Sequence, residues 1–469
     1  MTADETIAER FGDSGRPGRS GKPAGIFGRE YLWISIGMCA LVTLAAFESM
    51  AVTTIMPMIS AELNGASVYA LAFAGPLAVG VVGMVLAGNW SDRNGPRGAL
   101  YASAVSFVVG LAVVGTASSM GIFILGRLVQ GLGAGGLTVA LYVIIARVYP
   151  PRLHPPIFAA FAAAWVVPSL VGPLIAGLVA DYVGWRWVFL GVIALVFVAA
   201  AMVIPALRSL VHDPIAAPDV PWNFGRIGWA VLAAAAVLGV NLSADAAGLV
   251  FWGGPIVAIV VAVIALRPLL PGGTLRLRAG LPAVIVMRGL LAGSFFGAEV
   301  YIPYLLTKEY GFVAAGAGLA LTASGLTWAG GSWLQSKFAT QLSHVVSFRI
   351  GASLLSAAVL TAALTAALSL PPALAIIGWA IGGAGMGLMY PRTSVLTLEY
   401  STIENQGFNS SALSIADSIG ASIALAATAI VFAVLLPLGG AWPFAGCFIL
   451  TALLGICALV LSPRVAQRA

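Results

Sequence analysis

The chain is a near-unbroken succession of apolar runs, each about as long as a bilayer is thick, parted by short polar breaks. Spanning about 30 Å of hydrocarbon takes about 20 mostly apolar residues in helical form. Six such runs fall at 31–58, 66–88, 98–118, 121–147, 156–180 and 187–207. A polar stretch from Arg208 to Arg226, with His212, Asp213 and Asp219, follows them. Two shorter runs come next, 227–243 and 250–267, and then six more at 281–306, 314–334, 347–368, 372–391, 408–436 and 441–462. This patterning predicts an all-α polytopic membrane protein with 14 spans. Only 9% of the 469 residues are charged and 60% are hydrophobic, against about 25% charged in a soluble domain. A soluble enzyme, a disordered chain and a collagen-like fibre are excluded on that ground.

Charge placement sets the expected orientation, because short cytoplasmic loops collect Lys and Arg. With the N-terminus inside, 19 of the 23 Lys and Arg residues fall on the inner side. Arg186 and Lys308 fall outside, and Arg127 and Arg288 lie within spans. The expectation is an even span count in the plasma (inner) membrane, with both termini cytoplasmic. The predicted segments are a disordered cytoplasmic tail at 1–30, a first six-helix bundle at 31–207, and a linker at 208–280 holding the two extra spans. A second bundle at 281–462 and a tail at 463–469 complete them. Residues 1–30 lack the apolar core and cleavage site of a signal peptide.

Several chemistries find no footing. Cys39, Cys447 and Cys457 sit singly in apolar runs, without metal-ligand spacing or a disulfide framework. The net charge of +6 is not gathered into a basic patch interleaved with aromatics, so no nucleic-acid partner is expected. No phosphate loop, metal cluster or nucleophile–base arrangement is present, so neither an enzyme nor a bound cofactor or metal is expected. His154, His212 and His344 fall in cytoplasmic loops, which disfavours a histidine proton relay.

The first six and last six runs look like copies of one unit. Gly131, Gly133 and Gly135 in the fourth run fall on Gly383, Gly385 and Gly387 at an offset of 252. Pro168 falls on Gly420 at the same offset, and Glu48 on Glu299 at an offset one shorter. Internal repeats of this kind build many transporters.

Four segments carry a more specific pattern. The loop after the second run reads Gly88-Asn89-Trp90-Ser91-Asp92-Arg93-Asn94-Gly95-Pro96-Arg97. The fourth run holds Arg127 before its glycines, and the fifth reads Pro168-Ser169-Leu170-Val171-Gly172-Pro173-Leu174-Ile175-Ala176-Gly177. The first run reads Phe47-Glu48-Ser49-Met50 and ends in Pro57. Together these resemble the signatures of the major facilitator superfamily, and most nearly its fourteen-spanner drug:proton antiporter branch. The resemblance implies two pseudo-symmetric six-helix bundles with two inserted helices. It also implies proton-driven multidrug efflux of the kind that confers antibiotic resistance, powered by the proton gradient. Gly88, Asp92, Arg93, Gly95 and Arg97 would form a conformational latch, with Pro96 standing where the family carries an Arg. Pro168, Gly172, Pro173 and Gly177 would form the antiporter motif, whose Gly-Pro break suits a bending helix.

Of 17 acidic residues, Glu48, Glu299 and Asp417 lie deep in spans. Intramembrane carboxylates are functional candidates by default. Burial disfavours the charged form of a carboxylate, so proton exchange near neutral pH becomes feasible there. Glu48 is the leading proton-coupling candidate, with Arg127 as its counter-charge, then Glu299 by pseudo-symmetry, then Asp417 among neighbouring serines. Expected cavity walls are Met50, Trp165, Phe295, Phe296, Tyr301, Trp328 and Trp379. The expected function is proton-coupled export of amphipathic small molecules by alternating access, from a protein acting as a monomer in a lipid bilayer. A carrier dedicated to one metabolite, lipid or natural product is the alternative. A membrane-embedded enzyme or a channel fits less well, for want of a sizeable loop and because of the repeat.

Overall fold

A computed structural model describes residues 25–150, 153–209, 222–243, 249–338, 341–402 and 406–466. The expected tail at 1–24, the loop at 210–221 with His212, Asp213 and Asp219, and residues 467–469 lie outside the described residues. Within them the regular structure is helical throughout. The first six long helices are α1 (Leu32–Glu62), α2 (Leu71–Asn94), α3 (Pro96–Gly115), α4 (Met120–Val148), α5 (His154–Tyr182) and α6 (Arg186–Ser209). A shorter pair follows, α7 (Phe224–Ser243) and α8 (Leu249–Leu266). The remainder are α9 (Leu281–Glu299), α10 (Tyr301–Tyr310), α11 (Ala314–Lys337), α12 (His344–Ala367), α13 (Pro372–Glu399), α14 (Gln406–Leu435) and α15 (Trp442–Leu461).

Local chemistry explains the ends. Ser119 and Ser343 cap α4 and α12 by accepting from the backbone N–H three residues on, at 3.4 and 3.3 Å. Proline opens the first turn of α3, α5, α9, α13 and α15, where its missing N–H loses no helical bond. Gly95, at φ +81°, makes the sharp turn from α2 into α3, a backbone state that a Cβ disfavours.

Prolines also break helices. The run at 281–306 is not one straight helix: it breaks at Val300, between α9 and α10. Pro303 has no N–H for the Glu299 carbonyl four residues back, and its ring crowds that carbonyl. In α5 the segments Ala163–Ser169 and Val171–Tyr182 meet at 41°, where Pro173 withdraws the bond to Ser169.

Ten of the described helices are long and apolar enough to cross a membrane, or eleven if bent α5 is one span. The protein is therefore a multi-pass membrane protein. The described parts of α7 and α8 are shorter apolar helices, and α11 is not among the ten.

The helices alternate direction between two ends. A near end carries Tyr31, Arg93, Arg147 and Arg464, and a far end carries Glu62, Arg186 and Gly311. At the near end Tyr31 stacks on Tyr149, at 5.0 Å between centroids. At the far end the Trp185 and Arg186 side chains both donate to Glu62, each at 2.8 Å.

The repeated glycines do matching work. A Cβ on Gly131 or Gly135 would strike the Pro76 and Gly80 backbone of α2, and one on Gly133 the Phe107 backbone of α3. Likewise Gly383 and Gly387 lie against Ser324 and Trp328 of α11, and Gly385 against Gly351 of α12. So α4 beds on α2 and α3 as α13 beds on α11 and α12. Small residues let backbones meet where lipid supplies no hydrophobic drive. The two sets of helices touch through α5 on α11 and α2 on α14, while α7 packs against both α2 and α14.

Candidate functional site: two buried ion pairs

The first pair joins α1, α2 and α4. Pro76 cannot donate to the Ala72 carbonyl, so that carbonyl of α2 lacks its helical partner. Arg127 of α4 supplies one: its Nε donates to Ala72 O at 3.2 Å. Its Nη1 donates to Gln130 Oε1 at 2.7 Å and to the Glu48 carboxylate. Gln130 stands one turn on along α4, so it shares the face of Arg127. The side chains of Arg127 and Glu48 are 7% and 9% exposed. Glu48 therefore points into the protein, held against the counter-charge that the sequence nominates.

The second pair joins α9, α13 and α14, nearer the near end. Arg288 Nε donates to Asp417 Oδ1 at 2.7 Å. Its Nη1 donates to Thr393 Oγ1 at 2.8 Å and to Tyr390 O at 3.3 Å. The Tyr390 hydroxyl donates to the same Asp417 oxygen at 2.6 Å, and the Tyr390 ring lies 3.3 Å from the guanidinium carbon. This pair is less sealed, at 13% exposure for Arg288 and 24% for Asp417. Asp417, expected as a proton-coupling group with serines beside it in sequence, takes its partners from two other helices, an arginine and a tyrosine. Sequence reasoning placed Arg288 inside a span without assigning it to the site, and it missed Gln130, Tyr390 and Thr393. Two intramembrane charges of opposite sign were the available signal for Arg288 and Asp417.

Glu299 differs from both pairs. It ends α9 at the Pro303 break, is 6% exposed, and forms no ion pair or hydrogen bond among the described residues. Beside it the far end is closed by aromatic packing. Tyr69 of the α1–α2 connection stacks on Tyr304 at 4.4 Å and donates to Val300 O at 2.9 Å. The closure continues along α5 and α11. A Cβ on Gly177 would lie 2.6 Å from Ala315 Cα, and one on Gly318 2.7 Å from Pro173 O. Asp181 accepts from the Ala315 N–H at 3.3 Å, at the start of α11, where a helix favours negative charge. Gly172 has more room: its nearest neighbour is Phe47, 3.4 Å from where a Cβ would be. Pro168 is buried beside it in the bent stretch.

The other expected residues divide by burial. Phe295, Tyr301 and Trp379 are fully buried in helix packing rather than lining open space. Phe295 stacks on Trp379 at 4.7 Å and Tyr301 on Phe432 at 5.8 Å. Met50, Phe296 and Trp328 are half-buried, and Trp165 is exposed. The segment expected as a loop after the second run is helical instead: residues 88–94 form the last turns of α2 and only Gly95 parts them from α3, and there Asp92 makes no ion pair among the described residues. Arg147 of α4 instead donates to Ser91 O at 3.1 Å, close under Gly95. Arg97 lies 5.7 Å from the Tyr101 ring centroid, while Gly88 packs loosely against Val139. Arg93 forms no ion pair among the described residues. The end of α2 is tied to the start of α7: the Asn223 N–H donates to Asn89 Oδ1 at 3.0 Å. Arg226 then reaches the Phe408 ring of α14, at 5.4 Å. Among the described residues no group of three or more metal-ligating side chains comes together.

A multi-pass helical protein with matched glycine rows and buried ion pairs has the build of a secondary transporter. The Major Facilitator Superfamily model matches residues 38–425, and the chain belongs to that family. The relatives and solved structures it resembles are transporters. It is 34% identical over 162 residues to an uncharacterized transporter of Schizosaccharomyces pombe, covering 34% of this chain and 27% of that protein. It is 25% identical over 350 residues to Multidrug resistance protein 3 of Bacillus subtilis, covering 69% of this chain and 66% of that protein. The matches thus span from about a quarter to two thirds of these relatives' lengths. A crystal structure of a POT family transporter in complex with 5-aminolevulinic acid superposes with a TM-score of 0.70 at 15% identity. It covers 94% of this chain and 98% of that one, a likeness of fold.

Proposed function

We propose that the protein is a proton-coupled exporter of amphipathic small molecules, working by alternating access between two six-helix bundles with α7 and α8 inserted. The observation that carries this reading is the sealed Glu48–Arg127 pair, a titratable group in the apolar interior with a defined counter-charge. Such a group exchanges a proton with whichever side it faces, and the accompanying change in charge shifts the balance between two packings. Glu299, without a partner, is the second coupling group. The positive-inside distribution supports taking the near end as cytoplasmic, in the plasma membrane. The closed far end is then the outer gate, shut in this conformation. The name of the Bacillus relative supports drugs as cargo. Latch and antiporter-motif roles for residues 88–97 and for residues 168–177 rest on the bend in α5 and the tether to α7.

Everted vesicles test this. Imposed inside-acid pH should drive uptake of cationic or neutral dyes, and dye addition should collapse the gradient. Uptake indifferent to the gradient across a broad panel would exclude proton coupling. Saturable transport of a single compound would favour the dedicated carrier.

A further inference from the structure

Arg288 carries more hydrogen-bonding capacity than the protein uses. A guanidinium has five N–H donors in a fixed plane. Nε is spent on Asp417, and Nη1 on Thr393 and the Tyr390 carbonyl. Both N–H groups of Nη2 have no acceptor among the described residues. Asp417 mirrors this: Arg288 and Tyr390 both donate to Oδ1, and among the described residues nothing donates to Oδ2. The pair is neutral overall, pinned from three helices, and incompletely covered. A donor and an acceptor are thus left open on one rigid unit.

The surroundings supply an apolar wall, the tilted rings of Phe296 and Trp328 at 6.5 Å between centroids, with Tyr390 standing edge-on to both. The half-buried ring of Phe296 is 6.4 Å from that of Tyr390, and Trp328 is 5.2 Å from Tyr390. Farther along α14, which carries Asp417, Ser422 donates to Ala74 O of α2 at 3.1 Å. The site therefore lies beside the boundary between the two sets of helices. A lone cation would find Asp417 already neutralised, and a lone anion would meet the Asp417 charge. A neutral group with an acceptor and a donor side by side satisfies both open edges without net charge.

We propose that Arg288 and Asp417 form a substrate subsite for neutral amide-type groups (amide, lactam or protonated carboxylic acid) borne on a flat ring that lies along Phe296 and Trp328. This deepens the exporter reading by naming a substrate class, and its test uses binding, which does not depend on proton coupling. Purified protein in detergent is titrated with naphthalene carboxamide, with the N-methylated dimethyl amide that lacks the donor, and with a naphthyl trimethylammonium ion. The carboxamide should bind at least tenfold more tightly than either of the others. Arg288→Lys keeps the charge opposite Asp417 but loses the planar second donor edge. It should weaken carboxamide binding about tenfold and leave the ammonium ion unaffected. Trp328→Leu, which spares the ion pair, should weaken all three ring compounds. Equal binding of the three probes, unaltered carboxamide affinity in Arg288→Lys, or no binding of any probe would overturn the subsite. Loss of gradient-driven transport with binding intact would instead count against proton coupling.

Discussion

The two ion pairs are built from the same chemistry and used differently by the fold. Arg127 and Glu48 are shut inside helices α1, α2 and α4, with Arg127 also repairing the carbonyl that Pro76 leaves unmet. Arg288 and Asp417 are held just as firmly, yet they keep open edges beside the boundary between the helix sets. A sealed pair suits an ion or proton that must not leak. A half-open pair suits a larger ligand that must enter and leave. On the proposed reading, coupling falls to the first and recognition to the second.

Breaking the sealed pair should have the largest effect. Arg127→Ala strands Glu48 in the interior and should destabilise the protein by about 3–5 kcal/mol, seen as the deepest fall in melting temperature in detergent. Arg288→Ala should cost about 1–3 kcal/mol, because Tyr390 still donates to Asp417 and water reaches it. Equal losses would erase the distinction between the pairs. The next effect should be at the far-end closure. Gly177→Ala forces a methyl onto Ala315 and should cost about 1–3 kcal/mol, loosening a cross-link between cysteines placed at 181 and 315. Gly172→Ala has room in this conformation and should leave that cross-link unchanged, whereas Gly172→Val should slow transport if the α5 bend moves. Smallest in stability should be Glu299→Gln. With no ion pair to lose, it should change stability by less than about 1 kcal/mol while still impairing coupling. A large loss of stability would reveal a charge partner for Glu299.

The sequence made the all-helical, multi-pass membrane class legible because a bilayer imposes a length and a polarity that ordinary loops break visibly, while of the 14 expected spans ten or eleven of the described helices are long and apolar enough to cross. The offset of 252 between Gly131 and Gly383 likewise anticipated packing partners, since close helix approach admits few residues. Glu48 and Arg127 were legible as a pair because each was a lone charge in an apolar run. Arg288 with Asp417 was not, because the residues that complete it, Tyr390 and Thr393, look like ordinary helix fillers in sequence. The ring positions were harder still. Phe295 and Phe296 are adjacent, yet one is buried and stacks on Trp379 while the other is half-buried beside Trp328 and Tyr390. Only the rotation of α9 decides that, and Pro303 bends the helix just beyond it. The α7 tether was also hidden, since Asn223 and Arg226 read as a polar loop end.

Coupling at the sealed pair is the claim on which the rest depends. Proton flux should be followed with a pH-sensitive dye inside proteoliposomes as substrate is added outside, for wild type and for Glu48→Gln. The account predicts substrate-driven proton movement in the wild type and none in Glu48→Gln, with folding and substrate binding retained. Undiminished proton movement in Glu48→Gln would contradict it.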